Sequence, residues 1–174
     1  YKQEINISDT WRAEYDQKMK ELRERSQTAS KVKFNGGLEN HDKETIKLHT
    51  ATHLLNAALH QVLGDEVMQK GSNVNAQRTR FDFAWSEKLT SEQIDEIEKI
   101  VNSQIEKGLE VTFAEYPTEQ ALNELKAIGA FGDKYGETVK VYTMKAPDEE
   151  AFSVEICGGP HVQNTKELAE NGKK

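Results

Sequence analysis

The sequence has little of what secreted and membrane proteins need. One cysteine in 174 residues cannot form an internal disulfide, so nothing points to an oxidising compartment. No apolar run approaches the roughly 20 residues that span a bilayer, and the N-terminus has no charged-then-apolar signal segment. We therefore expect a globular, cytoplasmic protein without a membrane partner.

An excess of positive charge is also missing. Lys and Arg number 23 against 30 Asp and Glu, which gives a net charge of −7. Broad, tight binding to nucleic acid depends on neutralising phosphates, so this balance argues against it. A confined basic groove remains compatible with the sequence, and any RNA contact would be local or assisted by another domain.

Apolar spacing divides the chain into an N-terminal helical arm with a linker, residues 1–40, and a core, residues 41–174. Ser8 and Asp9 are suited to cap an amphipathic helix that runs through Trp11 to Leu22. In the core, a second helix should begin near Asp42 and end at Leu63 before a glycine.

The core mixes helices and strands without regular βαβ alternation. Thr90 and Gln93 form the capping box of a third helix, and a short helix passes through Leu122 and Leu125. Short extended runs predict strands over residues 67–74, 79–85, 109–116, 138–144 and 152–156, and the run from Thr79 to Trp85 alternates cleanly between apolar and charged residues. This order predicts an α+β fold, a mostly antiparallel sheet with helices packed on one face.

The first candidate site is the pair His49 and His53. On a helix these residues lie one turn apart on the same side, so both imidazoles can reach one metal ion. The apolar stripe of the helix places them at the rim between core and solvent. The pair alone has an ordinary alternative, two unrelated surface histidines.

The second candidate is the loop from Cys157 to His161, which follows an apolar strand. Gly158, Gly159 and Pro160 favour a tight turn that folds a thiolate and an imidazole toward one point; the alternative is a buried structural cysteine beside a strand-end turn. Together, a helix pair and a loop pair about a hundred residues apart are typical of a folded zinc site. Three histidines and one thiolate suit Zn²⁺ best.

A third group lies on the first two core strands. The amide of Gln69 can position water or a carbonyl, and Lys70, Arg78 and Arg80 can contact phosphate. The residues alone favour the alternative, a polar strand and turn with solvated charges.

These motifs together resemble the editing domain of alanyl-tRNA synthetases. The resemblance covers roughly residues 42–168 and is carried, in order and spacing, by Lys47–Leu55, Gln69–Ser72, Arg80–Phe83, Phe131–Gly136 and Cys157–Val162. The same module occurs in freestanding alanyl-tRNA editing proteins and, more distantly, in threonyl-tRNA synthetases.

The resemblance implies zinc held by His49, His53, Cys157 and His161, and hydrolysis of seryl- or glycyl-tRNA specific for alanine. It also implies that Gln69 belongs to the editing site.

If the chain hydrolyses mischarged tRNA, the chemistry of other residues predicts roles for them in this reaction. Gln69 and a backbone amide of Gly158 or Gly159 are candidates for stabilising an oxyanion. Thr50 or Thr52 could read a serine hydroxyl, although a helical threonine usually bonds its own backbone. Lys70, Arg78 and Arg80 would contact the acceptor end of the tRNA.

Three departures from the family pattern bear on these expectations. Pro160 stands where alanyl enzymes usually have threonine, which leaves threonyl-type editing of seryl-tRNA(Thr) as an alternative. The segment before Thr45 is short for the β-barrel that usually precedes this core, and the serine-rich segment that usually follows His161 is missing. We expect a piece of a larger synthetase whose remaining domains are its partners; a purely structural zinc module is the other alternative.

Overall fold

A computed structural model describes residues 11–29, 38, 41–129 and 135–169. The chain divides into two compact units, Tyr1–Phe34 and Asn35–Lys174. In the first unit, helix α1 spans Trp11–Ala29, which confirms the predicted N-terminal helix; the expected cap at Ser8 and Asp9 lies outside the described residues. Within the described residues, no helix has the length and apolar character needed to cross a membrane.

The described residues of the second unit form three helices, five strands and a final 3₁₀ turn. The helices are α2 (Lys43–Leu63), α3 (Ser91–Lys107) and α4 (Thr118–Asn123). The strands are β1 (Met68–Val74), β2 (Thr79–Ala84), β3 (Glu110–Pro117), β4 (Thr138–Lys145) and β5 (Ser153–Ile156); the 3₁₀ turn is Thr165–Leu168. All strand pairs are antiparallel and form two sheets, the β1–β2 hairpin and a β3–β4–β5 sheet. The α+β class is confirmed.

Helix α2 is the central element of this unit. The Asp42 side chain accepts the backbone N–H of Thr45 at 2.8 Å, and Gly64, at a φ of 94°, ends the helix; both are the predicted boundaries. Leu54 packs with the β3–β4 side of the core, whereas Leu59 packs with α3 and the hairpin. Since α2 is covered from two sides, most of its residues are withdrawn from solvent.

The strand register assigns each residue of the three-stranded sheet to a face. Tyr142 of β4 lies opposite Phe113 of β3 and Glu155 of β5. Directly paired residues share a face, so these three side chains point the same way. Val141 and its β5 partner Ile156 point the other way, where they pack with Ala121 of α4. The face that carries Tyr142 and Glu155 contains the site described next.

Candidate metal centre

The structure brings the four predicted metal ligands together. His49 and His53 come from successive turns of α2, and Cys157 and His161 from the loop after β5. One ligand atom from each lies within 4.8 Å of all the others, and Cys157 Sγ is 3.4 Å from His49 Nε2. Tetrahedral zinc with nitrogen and sulfur ligands places neighbouring donor atoms about 3.3–3.8 Å apart. The Cys157–His49 distance matches such a site, and no distance in the cluster exceeds this spacing by more than about 1 Å.

Each histidine contacts a polar group through Nδ1, the ring atom that faces away from the cluster. His49 Nδ1 is 3.0 Å from the Pro160 carbonyl oxygen, which can only accept, so Nδ1 donates. His53 Nδ1 is 2.7 Å from Glu155 Oε2, although the ring N–H departs from a linear hydrogen bond. Metal-binding histidines commonly have such outer partners, because these fix the ring and leave Nε2 as the ligand.

His161 completes this pattern through Thr50. The Thr50 hydroxyl donates to the Ile46 carbonyl at 3.0 Å, so its oxygen accepts from the Val162 N–H and from His161 Nδ1, both at 3.2 Å. His161 Nε2 is then an unprotonated acceptor, buried and without a hydrogen-bond partner among the described residues. An orphaned, inward-facing imidazole nitrogen beside a thiol fits a metal ion. The donor set and its outer contacts thus fit Zn²⁺.

The pKa values of three cluster residues are strongly shifted from their ordinary values. Burial raises the pKa of the Cys157 thiol, but its close contacts with the side chains of His161, His49 and His53 and the charge of His53 outweigh this effect and lower the pKa to about 3. Burial lowers the pKa of His53, but the Glu155 carboxylate and contacts with Cys157 raise it to about 10. Burial, with the charges of His53 and His49, lowers the pKa of His161 to about 3, although its close contact with Cys157 acts in the opposite direction. The metal-free cluster therefore holds a thiolate beside an imidazolium.

Gly159 is needed because of a close approach and not because of its backbone angle. Neither Gly158 nor Gly159 is among the described glycines with a positive φ. A Cβ on Gly159 would stand 2.6 Å from Cε1 of the His49 ring, closer than side chains tolerate. The absent side chain lets the loop lie directly against the ring.

The predicted rim position of the two helical histidines is wrong. His49 is 3 % exposed and His53 is 7 % exposed, because the Cys157–His161 loop and β5 cover the side of α2 that lies away from its apolar stripe. Only His161 in the cluster is half-buried. His161 is therefore the residue of the cluster with the most access to solvent, although its Nε2 atom is buried.

The two threonines between the histidines are both buried. Thr50 is fully buried and its hydroxyl is saturated by the three bonds described above, so a substrate contact would have to replace one of them. The Thr52 hydroxyl donates to the Leu48 carbonyl at 2.8 Å and contacts the Thr79 hydroxyl at 3.0 Å. Their predicted role in reading serine stays a prediction.

The third predicted group occupies the hairpin. Gln69, half-buried, lies opposite Phe83, on the face that packs toward the helices. Lys70 is exposed at a bulge between paired positions, and Arg78 is exposed in the turn. Within the described part of the chain, no hydrogen bond joins Gln69 to the four-residue cluster, so its place in the editing site stays a prediction.

Arg80 has a partner of its own on the hairpin. Its Nε and Nη2 atoms both lie 3.1 Å from Asp82 Oδ2. A phosphate would compete with that carboxylate for the guanidinium group.

Sequence reasoning missed two residues beside the cluster, Glu155 and Tyr142. Both lie on strands whose alternation was visible, but a polar residue such as Glu155 on a strand normally faces solvent. Glu155 is 4 % exposed and also accepts the Ser153 hydroxyl at 3.2 Å. The Tyr142 ring packs edge-on against His161 with 4.3 Å between centroids. The one available signal was the interval of two residues between Glu155 and Cys157.

Comparison with known proteins first identifies a family that matches one part of the chain. Residues 139–170, which include most of β4, all of β5, Cys157 and His161, match the family described as threonyl and alanyl tRNA synthetase second additional domain. This stretch contains the loop half of the cluster.

Individual relatives of the chain point to the alanyl group of these synthetases. The chain is 46 % identical over 157 residues to the alanine–tRNA ligase of Treponema denticola, covering 90 % of the chain and 25 % of the ligase. It is 51 % identical over 135 residues to that of Borreliella burgdorferi, covering 78 % and 22 %, and 47 % identical over 130 residues to one from Staphylococcus aureus, covering 75 % and 14 %. The resemblance to alanyl-tRNA synthetases is confirmed over most of the chain, which spans about a quarter of the length of the first of these relatives.

Proposed function

We propose that this chain carries the editing activity of an alanine–tRNA ligase, the hydrolysis of seryl- or glycyl-tRNA(Ala). The bond cleaved is the ester that joins the wrong amino acid to the 3′ end of the tRNA. The observation that supports this most is the convergence of His49, His53, Cys157 and His161 in a chain so similar to alanine–tRNA ligases.

The cluster would hold zinc through three Nε2 atoms and the Cys157 thiolate. The chemistry that zinc supplies in hydrolytic sites is Lewis acidity, which polarises a carbonyl or activates water; binding the amine of the amino acid is the alternative. The chain's own part is to keep the cluster dry and oriented. Pro160, Glu155 and Thr50 fix the three rings, and Tyr142 covers His161.

Other residues of the chain would act on the ester and the RNA. Gln69 and the backbone amide of Gly158 or Gly159 are the proposed donors to the oxyanion that forms as the carbonyl is attacked. Lys70 and Arg78, both exposed on the hairpin, would contact phosphates of the acceptor end, and Arg80 would do so by exchanging Asp82 for a phosphate. The tRNA and the other domains of the synthetase are the proposed partners, in the cytoplasm.

One observation favours a second candidate, a structural zinc module. Four protein ligands fill a tetrahedral ion, and closed sites of this kind are usually structural. The hydrolytic proposal requires a ligand to be exchanged or the coordination to expand, and half-buried His161 is the ligand best placed for either.

Deacylation assays separate these proposals. Zinc-loaded protein is mixed with seryl-tRNA(Ala), glycyl-tRNA(Ala), correctly charged alanyl-tRNA(Ala) and seryl-tRNA(Thr), and loss of the amino acid is followed. We expect hydrolysis of the first two and little of the others. Preferred hydrolysis of seryl-tRNA(Thr) would identify threonyl-type editing, and no hydrolysis by protein with bound zinc would identify a structural module.

A further inference from the structure

We propose that Phe113 and Lys140 form the binding site for the terminal adenosine of the charged tRNA. The adenine ring stacks on Phe113, and Lys140 contacts the phosphate of the same nucleotide. This inference rests on the proposed editing function and adds where the nucleoside half of the substrate binds.

Phe113 is connected to the metal centre by a row of aromatic rings. Its ring centroid is 5.2 Å from that of Tyr142, and Tyr142 is 4.3 Å from His161. Phe113 and Tyr142 are directly paired across β3 and β4, so both lie on the face of the sheet that carries the cluster. An adenosine on Phe113 would thus have its ester-bearing ribose directed along the row toward His161.

Phe113 is accessible to a ligand. The residue is 57 % exposed, whereas its neighbour Tyr142 is 7 % exposed. The same sheet face is therefore closed near the cluster and opens at Phe113. An exposed aromatic face beside a hydrolytic centre suits a nucleobase, since every base can stack on a ring and the contact needs no particular sequence.

The positive charge of Lys140 favours a nucleotide, which carries a phosphate, over an apolar protein surface as the partner of Phe113. Its Nζ lies 4.5 Å from the centroid of the Phe113 ring, where an ammonium group is attracted by the ring electrons. A stacking base would displace this flexible side chain toward the adjoining phosphate. Glu115 lies opposite Lys140 in the register, and since its carboxylate would repel a phosphate, the phosphate would have to approach Lys140 from the side away from Glu115.

The test uses stacking itself as the signal. An acceptor-stem RNA hairpin carrying 2-aminopurine as its 3′-terminal base is titrated with the zinc-loaded chain, because the fluorescence of 2-aminopurine falls when it stacks. We expect quenching by the wild type and by Phe113→Trp. Phe113→Ala should remove it and weaken binding about 5- to 100-fold, the range for one stacked base, and Phe113→Leu should also fail, because it keeps apolar area without a π-face.

Matched variants control for folding and charge. Ile94→Ala removes another half-exposed apolar side chain, on α3, and should behave as wild type. Lys140→Gln should lower the slope of log affinity against log salt by about 0.7, the contribution of one phosphate on a single strand, whereas Lys145→Gln, on the opposite face of β4, should not.

The outcomes distinguish the site from the function. Wild-type quenching in Phe113→Leu or Phe113→Ala, with zinc content unchanged, overturns the stacking site. Hydrolysis without any quenching overturns the site and leaves the editing proposal standing. Zinc-loaded protein that quenches but hydrolyses no charged tRNA supports the RNA site while the editing proposal fails.

Discussion

Replacing Gly159 with alanine tests whether the loop holds His49 in place for a metal. The new Cβ would lie 2.6 Å from His49 Cε1, 3.1 Å from Nδ1 and 3.2 Å from Leu38 Cδ1. Ordinary carbon contacts begin near 3.5 Å, so the ring must retreat by roughly 1 Å. Its retreat is opposed by the bond from Nδ1 to the Pro160 carbonyl and by the stacked His161 ring, 4.2 Å away.

The displacement should cost metal affinity more than fold. Metal sites lose about 10- to 100-fold in affinity when one outer contact of a ligand is lost, and displacing a ligand should cost at least as much. Zinc at 100 times the wild-type dissociation constant stabilises the fold by about 2.7 kcal/mol. With an affinity 100-fold weaker, the same zinc concentration would contribute only about 0.4 kcal/mol.

The assay is a chelator-competition titration for zinc affinity, with thermal unfolding measured with and without zinc. Gly158→Ala is the matched control, because Gly158 is exposed and its φ is not positive. We expect Gly158→Ala to keep the zinc-dependent rise in Tm and Gly159→Ala to lose most of it. Equal zinc affinities for the two variants would refute the packing argument.

Three further predictions concern the same site. Cys157→Ala should reduce bound zinc sharply from about one ion per chain; metal analysis checks this, and an unchanged content would exclude the thiolate as a ligand. The pKa of His53 is about 10, so this residue holds a proton that zinc must displace, whereas Cys157, with a pKa of about 3, is already ionised. Zinc affinity should therefore rise with pH between 6 and 9, by up to about tenfold per pH unit. A zinc affinity that falls over this range would contradict the prediction. Gln69→Ala should slow deacylation about 10²-fold with zinc content unchanged, if its amide meets the oxyanion; an unchanged single-turnover rate would remove it from the mechanism.

Local signals in the sequence predicted the elements well. Asp42 and Gly64 mark the ends of α2, and Thr90 with Gln93 marks the start of α3, because capping depends on a few neighbouring residues. The four metal ligands could also be predicted, because each pair lies within a motif that the chain shares with the resembling family.

Features that depend on packing between distant elements could not be predicted. Glu155 and Ser153 alternate with Val154 and Ile156 in a pattern that places the polar residues outside, yet both polar side chains are more than nine-tenths buried. The β5 strand has a packed layer on each side, and sequence alternation does not show which layer is polar. Gly159 likewise looked like a turn residue, whereas the closeness of the His49 ring and of Leu38 explains why it has no side chain.

The central claim is that the His49, His53, Cys157 and His161 cluster binds zinc and hydrolyses mischarged tRNA. The direct measurement follows hydrolysis of seryl-tRNA(Ala) by the chain as purified, after zinc is removed with a chelator, and after zinc is restored, with Cys157→Ala as the parallel sample. We predict that hydrolysis is lost on removal, returns with about one zinc per chain, and does not return in the variant. Equal rates for the metal-free and zinc-restored protein would contradict the account.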